Sequence, residues 1–183
     1  MLSSPTTAPF QGQYAVDPDH SSFAFAVRHM GVSTFRGSFS GVTAEVSADE
    51  RGVLRIAGEV PVEGLSVRAP HELRTHLLGE DFFDAARHPA IAFEAGGVAP
   101  SGDGTLTAAG RLTIRDVTRE VVARGTWSGP VEDPFGGVRG ALELSATVDR
   151  RDFGMSWNLR LPKGGDALGN EVTITAQLEL VGR

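Results

Sequence analysis

Five histidines, twenty-three carboxylates and a scattering of serines are the residues of this 183-residue chain that could do acid–base, metal or nucleophilic chemistry. Their spacing argues against each in turn. His20 and His29 flank a stretch that reads as a strand, and nine residues at roughly 3.3 Å each would hold them about 30 Å apart, too far to share a metal ion. His71 and His76 are five apart, which on a helix turns them to different faces, and neither H-E-x-x-H nor any three-ligand spacing occurs. No G-x-S-x-G sets a serine on a strand-to-helix elbow. The pairs Gly96-Gly97, Gly136-Gly137 and Gly164-Gly165 match neither a dinucleotide fingerprint nor a phosphate loop, and they read as turns. The acidic run Glu80, Asp81 and Asp84 reads as a solvated helix end rather than a cation site. Cysteine is absent, which removes thiolate metal sites, iron–sulfur clusters, disulfides and cysteine nucleophiles together. The sequence therefore predicts no catalytic residue, no metal and no cofactor, and an enzyme has no residue to stand on.

Charge narrows the partners. Seventeen Lys and Arg against 23 Asp and Glu leave a net charge of −6, the wrong sign for tracking nucleic acid or an anionic lipid surface. With 40 % hydrophobic and 22 % charged residues the chain has the composition of a folded domain. One domain over residues 13–183 is expected, after a loose tail over residues 1–12. Met1 to Pro9 show neither the positive nor the apolar region of a secretory leader, and no run of 18 apolar residues occurs, so the expectation is a cytoplasmic protein with no stable membrane insertion.

The elements that must position any site are strands. Phe23, Phe25 and Val27 alternate with polar or small neighbours, as do Phe35 and Phe39 beyond the His29-Met30-Gly31 turn. At Ser40-Gly41 the phase slips, and Val42, Ala44 and Val46 carry the apolar face, which predicts a bulge or sharp bend. Similar runs recur to Leu180, giving about eight strands joined by short Gly, Pro, Asp and Ser loops. The predicted fold is all-β, an antiparallel up-and-down eight-stranded barrel, the size that can hold one small ligand. One stretch departs: Leu73, His76 and Leu77 have helical spacing between Pro70 and the stop at Gly79, which predicts a short helical insertion around residues 70–86. Phe82 and Phe83 lie inside it, and at least one ring must be buried.

The inward face mixes aromatics such as Phe23, Phe25, Phe39, Phe93 and Trp127 with small residues such as Ala44, Gly58, Ala108, Gly110, Ala146 and Ala176. Small residues leave room for a ligand, or for bulky side chains from facing strands to fill. Composition leaves both open.

Specific residues add a resemblance over nearly the whole chain. Tyr14-Ala15-Val16-Asp17-Pro18-Asp19-His20-Ser21, Phe23-Ala24-Phe25, His29-Met30-Gly31 and Arg36-Gly37-Ser38-Phe39 resemble the first hairpin of the YceI-like family of lipocalin-like, polyisoprenoid-binding proteins. His76-Leu77, Asp81-Phe82-Phe83-Asp84 and His88-Pro89-Ala90-Ile91-Ala92-Phe93 resemble its helical insertion and the following strand. The segment from Gly110 to Thr118 and Phe153-Gly154-Met155 resemble its later motifs. Leu73-Arg74 stands where the family usually has an Arg-Asp pair, and the envelope leader common in the family is not seen. The resemblance implies a lipocalin-like barrel with a long apolar pocket and no catalytic apparatus. The leading expectation is a module that binds, transports or stores one apolar lipid chain, an isoprenoid or isoprenoid quinone, within the barrel. Phe23, Phe25, Val27, Phe39, Phe93, Leu112, Ile114 and Trp127 would line the pocket, Ala108 and Gly110 would leave it room, and Leu73, Leu77, Phe82 and Phe83 would cover it. Met155 and Trp157, beside the loop 162–170, would form its rim. The alternative expectation is a structural or interaction barrel with a filled core that pairs with a copy of itself as a homodimer.

Overall fold

In the computed structural model, which describes residues 10–183, the alternating runs form strands β1 (Gly12–Val16), β2 (Ser22–His29), β3 (Ser33–Phe39), β4 (Thr43–Ala48), β5 (Leu54–Pro61) and β6 (Leu65–Val67). Helix α1 (His71–Leu78) follows, then β7 (Ala90–Val98), β8 (Thr105–Ile114), β9 (Val117–Glu132), β10 (Val138–Asp149) and β11 (Leu168–Gly182). The first six strands are three long ones, each bent once. β1 runs into β2 through a 3₁₀ turn at Pro18–His20, β3 into β4 through residues 40–42, and β5 into β6 through a 3₁₀ turn at Val62–Gly64. Counted so, the wall has eight antiparallel strands in chain order. The ladder β1-β4-β5-β7-β8-β9-β10-β11 closes where Tyr14 of β1 pairs with Gly182 of β11, and β2, β3 and β6 continue the first three strands past the bends. The up-and-down barrel expected from alternation is the fold.

The bend at residues 40–42 falls where the phase slips. Gly41 has φ +79°, a backbone that costs glycine little and other residues much. It lets Phe39 and Val42, three apart, both point inward at 2 % and 5 % exposure. The helical insertion is shorter than its predicted span: α1 ends at Gly79, and residues 80–89 fold back as turns, with Phe83 N–H donating to Leu77 O and Ala85 N–H to Leu78 O. Both Phe82 and Phe83 are buried. Asp84 corrects the expectation of a solvated acidic end, because it is 4 % exposed and its carboxylate meets Arg87 Nε at 2.7 Å.

Of the expected loose tail, residues 1–9 lie outside the described residues, whereas Phe10 is fully buried and Gly12 opens β1. The Phe10 ring meets Tyr14 edge-on at 5.4 Å and Trp127 at 6.0 Å. It lies on Gly140, where any Cβ would clash with it. Around it Leu54, Val98, Leu106, Leu142 and Leu180 are at most 3 % exposed, so this end of the barrel is solid. Among the described residues no helix is long and apolar enough to cross a membrane.

Candidate functional site

Above that solid end the barrel is hollow. Two adjoining cavities, of about 80 Å³ and about 70 Å³, follow the barrel axis, and Phe23, Ile91 and Ile174 line both. The lower one owes its space to small inward residues on facing strands: Ala44, Gly58, Ala123, Ala146 and Ala176 all border it. Larger side chains at these positions would interdigitate, as a β core ordinarily does. Several inward-facing residues here, Phe23, Phe93, Ala146, Ile174 and Ala176 among them, are only half-buried although they face the axis.

The upper cavity is roofed by the insertion. Leu77 of α1, Phe82 and Phe83 close it from one side, Phe153 and Met155 from the other. Phe83 stands edge-on to Phe39 at 5.3 Å and to Phe25 at 6.1 Å, tying the roof to the β2–β3 wall. Trp157 packs over the outside of this roof, 4.7 Å from the His76 ring and 5.4 Å from Phe82. His76 Nε2 lies 2.9 Å from Asp81 Oδ2, which fixes the ring's orientation. Arg74 anchors the helix to the barrel, donating from Nε to Leu65 O and from Nη2 to Glu63 O. At the far edge of the insertion His88 Nδ1 lies 3.0 Å from Asp116 Oδ2, at the tip of the β8–β9 hairpin.

Arg150, 4 % exposed, is the charged group at the upper cavity. Its guanidinium is spent on oxygens of the surrounding chain: Nε donates to Gly169 O, Nη1 to Met155 O and Trp157 O, and Nη2 to Asn170 Oδ1, at 2.6 to 3.1 Å. Burial pulls its pKa down, and these acceptors satisfy the charge in place of a carboxylate. It pins the segment that carries Met155 and Trp157 to the start of β11, and so shapes one side of the roof.

Outside the lumen, one cluster among the described residues brings together ligand-type atoms from both ends of the chain: Asp17, His20 and Glu179. Arg139 already occupies its centre, donating from Nη1 to Asp17 Oδ2 and to Glu179 Oε1, while its Nε binds Asp133 Oδ2. The hydrogen bonds from His20 and Arg139 hold the Asp17 carboxyl down at about 2, and Asp17 in turn raises His20. The cluster is an ion-paired clasp where β1 turns into β2, its carboxylates already engaged by Arg139 and His20.

The residues expected at the pocket divide. Phe23, Phe25, Val27, Phe39, Leu77, Phe82, Phe83, Phe93, Leu112, Ile114 and Met155 border the two cavities. Five do not. Ala108 is fully buried beside Ala123 in the next strand, and the room expected at Gly110 is taken, since a Cβ there would stand 2.8 Å from both Phe93 Cζ and Ala95 Cβ. Trp127 belongs to the solid end, with Nε1 donating to Ser101 O. Trp157 lies over the roof, and Leu73, on α1, is half-buried against the core without bordering either cavity. For Trp127 the reason is height along the barrel, because alternation specifies which face a residue takes and not at what level of the axis it sits; Leu73 and Trp157 lie on the helix and a loop, where alternation says nothing. Ile56, Val60, Ile91, Leu144, Ile174 and Arg150 border the lumen without having been singled out. Their inward phase was the signal available for the apolar ones; nothing in the sequence marked Arg150.

The YceI-like domain family matches residues 14–180. A UPF0312 protein of Pseudomonas fluorescens is 34 % identical over 154 residues, covering 80 % of this chain and 78 % of the relative. One of Shewanella denitrificans is 33 % identical over 156 residues, with 84 % and 82 % covered. Among solved structures, BcnA of Burkholderia cenocepacia superposes with a TM-score of 0.74 at 20 % identity, over 90 % of this chain and 98 % of that one. A polyisoprenoid binding domain from Saccharophagus degradans superposes at 0.67 with 10 % identity, over 93 % and 98 %. These two likenesses establish the barrel, and the match over residues 14–180 establishes more: the chain belongs to the YceI-like domain family.

Proposed function

We propose that the chain is a non-catalytic binding module that shields one apolar lipid chain, of isoprenoid type, in its lumen and needs no cofactor to do so. The observation that carries this reading is the pair of adjoining apolar cavities beneath an aromatic roof. Protein interiors are ordinarily packed to crystal density, and at roughly 24 cal/mol per Å³ the two hollows forgo about 3 to 4 kcal/mol of packing. An apolar chain entering them recovers that loss and adds about 0.8 kcal/mol for each CH₂ withdrawn from water. Membership of the YceI-like family and the polyisoprenoid-binding neighbour of the same fold support the same ligand class.

Size sets a condition on the ligand. Together the cavities match the space, about 150 Å³, in which an engineered apolar cavity takes up benzene, so they hold only a short piece of chain with the rings where they stand. A longer chain requires Phe23, Phe25 or Phe93 to swing aside. Mass spectrometry of solvent-extracted lipid from gently purified protein tests the reading, alongside titration with a fluorescent polyene. A stoichiometric apolar ligand is expected. An empty protein that does not bind the polyene would instead favour the filled structural barrel.

A further inference from the structure

The β2–β3 hairpin tip and the loop 158–168 meet at the roofed end of the barrel. Met30 N–H donates to Ala167 O at 2.6 Å, and Leu168 pairs with His29. Between them they hold three large apolar side chains out in water: Val32 at 80 % exposure, Leu159 at 58 % and Met30 at 47 %. Met30 does so from a left-handed backbone, φ 52°, where turns ordinarily use Gly, Asn or Asp.

The charge around these tips is as uneven as their polarity. Segments 28–36 and 158–168 carry Arg28, Arg36, Arg160 and Lys163, all exposed, against the one acid Asp166. The turns at the opposite end, residues 49–53, 99–104 and 133–137, carry Asp49, Glu50, Asp103 and Asp133 against Arg51. These tips are therefore locally basic within a molecule of net charge −6, while the insertion at the same end carries Glu72, Glu80, Asp81 and Asp84 against Arg74 and Arg87, so the exclusion of anionic lipid surfaces drawn from net charge alone does not extend to the tips themselves. Directly below the tips, Val27, Phe35 and Leu168 already line the upper cavity.

We propose that this tip and loop form a reversible contact surface for an anionic phospholipid bilayer. The apolar tips enter the interface while the four cations meet lipid phosphates, and the acidic far end is repelled, so the roofed end faces the membrane. Three apolar side chains on one tip and one loop suit a fluid bilayer better than a folded partner, which needs a continuous patch of about 800 Å². That the lumen takes its chain from the bilayer through this contact rests on the lipid-binding reading; the contact itself does not.

Vesicle flotation tests it, using phosphatidylcholine vesicles with and without phosphatidylglycerol, at low and high salt. The parent protein should float with the anionic vesicles at low salt and be released at high salt. The V32D/K163E variant should bind them roughly tenfold more weakly or worse, since each basic side chain at such a surface counts for about fivefold. Phe135→Asp, at a 96 % exposed apolar position among the acidic turns, should change nothing. A parent protein that stays unbound, or an F135D loss equal to that of V32D/K163E, would overturn the proposal. A fluorescent fatty acid supplied without vesicles separates the two readings. Its uptake by V32D/K163E shows a folded, competent lumen with only the contact removed, whereas flotation of a parent that never takes it up sinks the lipid-binding reading and leaves the contact standing.

Discussion

At one end of the barrel Phe10, Tyr14 and Trp127 interlock over Gly140 and the space between the strands is full; at the other the strands part around two apolar hollows under Phe82 and Phe83. The same eight strands build both ends, and the inward residues of β10 show the change along a single strand. Leu142 sits in the solid layer at 1 % exposure, while Ala146, four residues on, borders the lumen. The difference teaches that a closed β wall by itself decides neither packing nor hollowness. Side-chain size at each level does. The solid end supplies the stability that lets the other end stay underfilled.

Three experiments would break or sharpen this contrast. The largest effect is expected from Phe10→Ala, which removes a fully buried ring from the solid end and should cost about 3 to 5 kcal/mol in denaturant unfolding. A loss below about 1 kcal/mol would show that Phe10 is not part of the cooperative core. Next comes a matched pair of tryptophans. Ala108→Trp, at a fully buried position off the lumen, should overpack and cost about 1 to 3 kcal/mol without blocking uptake of a fluorescent polyene. Ala146→Trp, on the lumen wall, should do the reverse, filling existing space at smaller cost and abolishing uptake. Equal destabilisation by both would mean that the interior is uniformly filled.

The smallest effect concerns the clasp at the β1–β2 turn. Asp17 is held at about 2, below its unfolded value of about 3.9, so its stabilisation is fully present above about pH 4 and is lost as pH falls through 2. His20 is raised, so its contribution is fully present below about pH 6.5 and is lost as pH rises through its folded value. Asp17→Asn should flatten both limbs of melting temperature against pH. An unchanged acid limb would place the sensitivity elsewhere, with Asp149, held at about 2 chiefly by hydrogen bonds from Arg151, as the next group to replace.

Much of the wall was legible in the order of residues. Phe23, Phe25 and Val27 alternate, and a strand has only two faces, so their shared side follows from backbone geometry alone. The phase slip at Gly41 and the stop at Gly79 are likewise local, each readable from what a neighbouring side chain or its absence allows. Levels along the axis were not local. Ala108 and Ala146 look alike in sequence, small and inward on long strands, yet one is sealed against Ala123 and the other borders open space. What separates them is register across the whole barrel, set by ladders between residues as far apart as Tyr14 and Gly182. Pairing between distant strands, too, gathers Arg139 with Asp17 and Glu179, 122 and 40 residues away in the chain. The sequence by itself determined the strands, their inward faces and a barrel of about eight of them, because those depend on period and turn chemistry within a few residues. Which inward residues meet one another, where the barrel is hollow and which turns come together at one basic tip were decided by tertiary structure, because each depends on side chains brought together from strands distant in the chain.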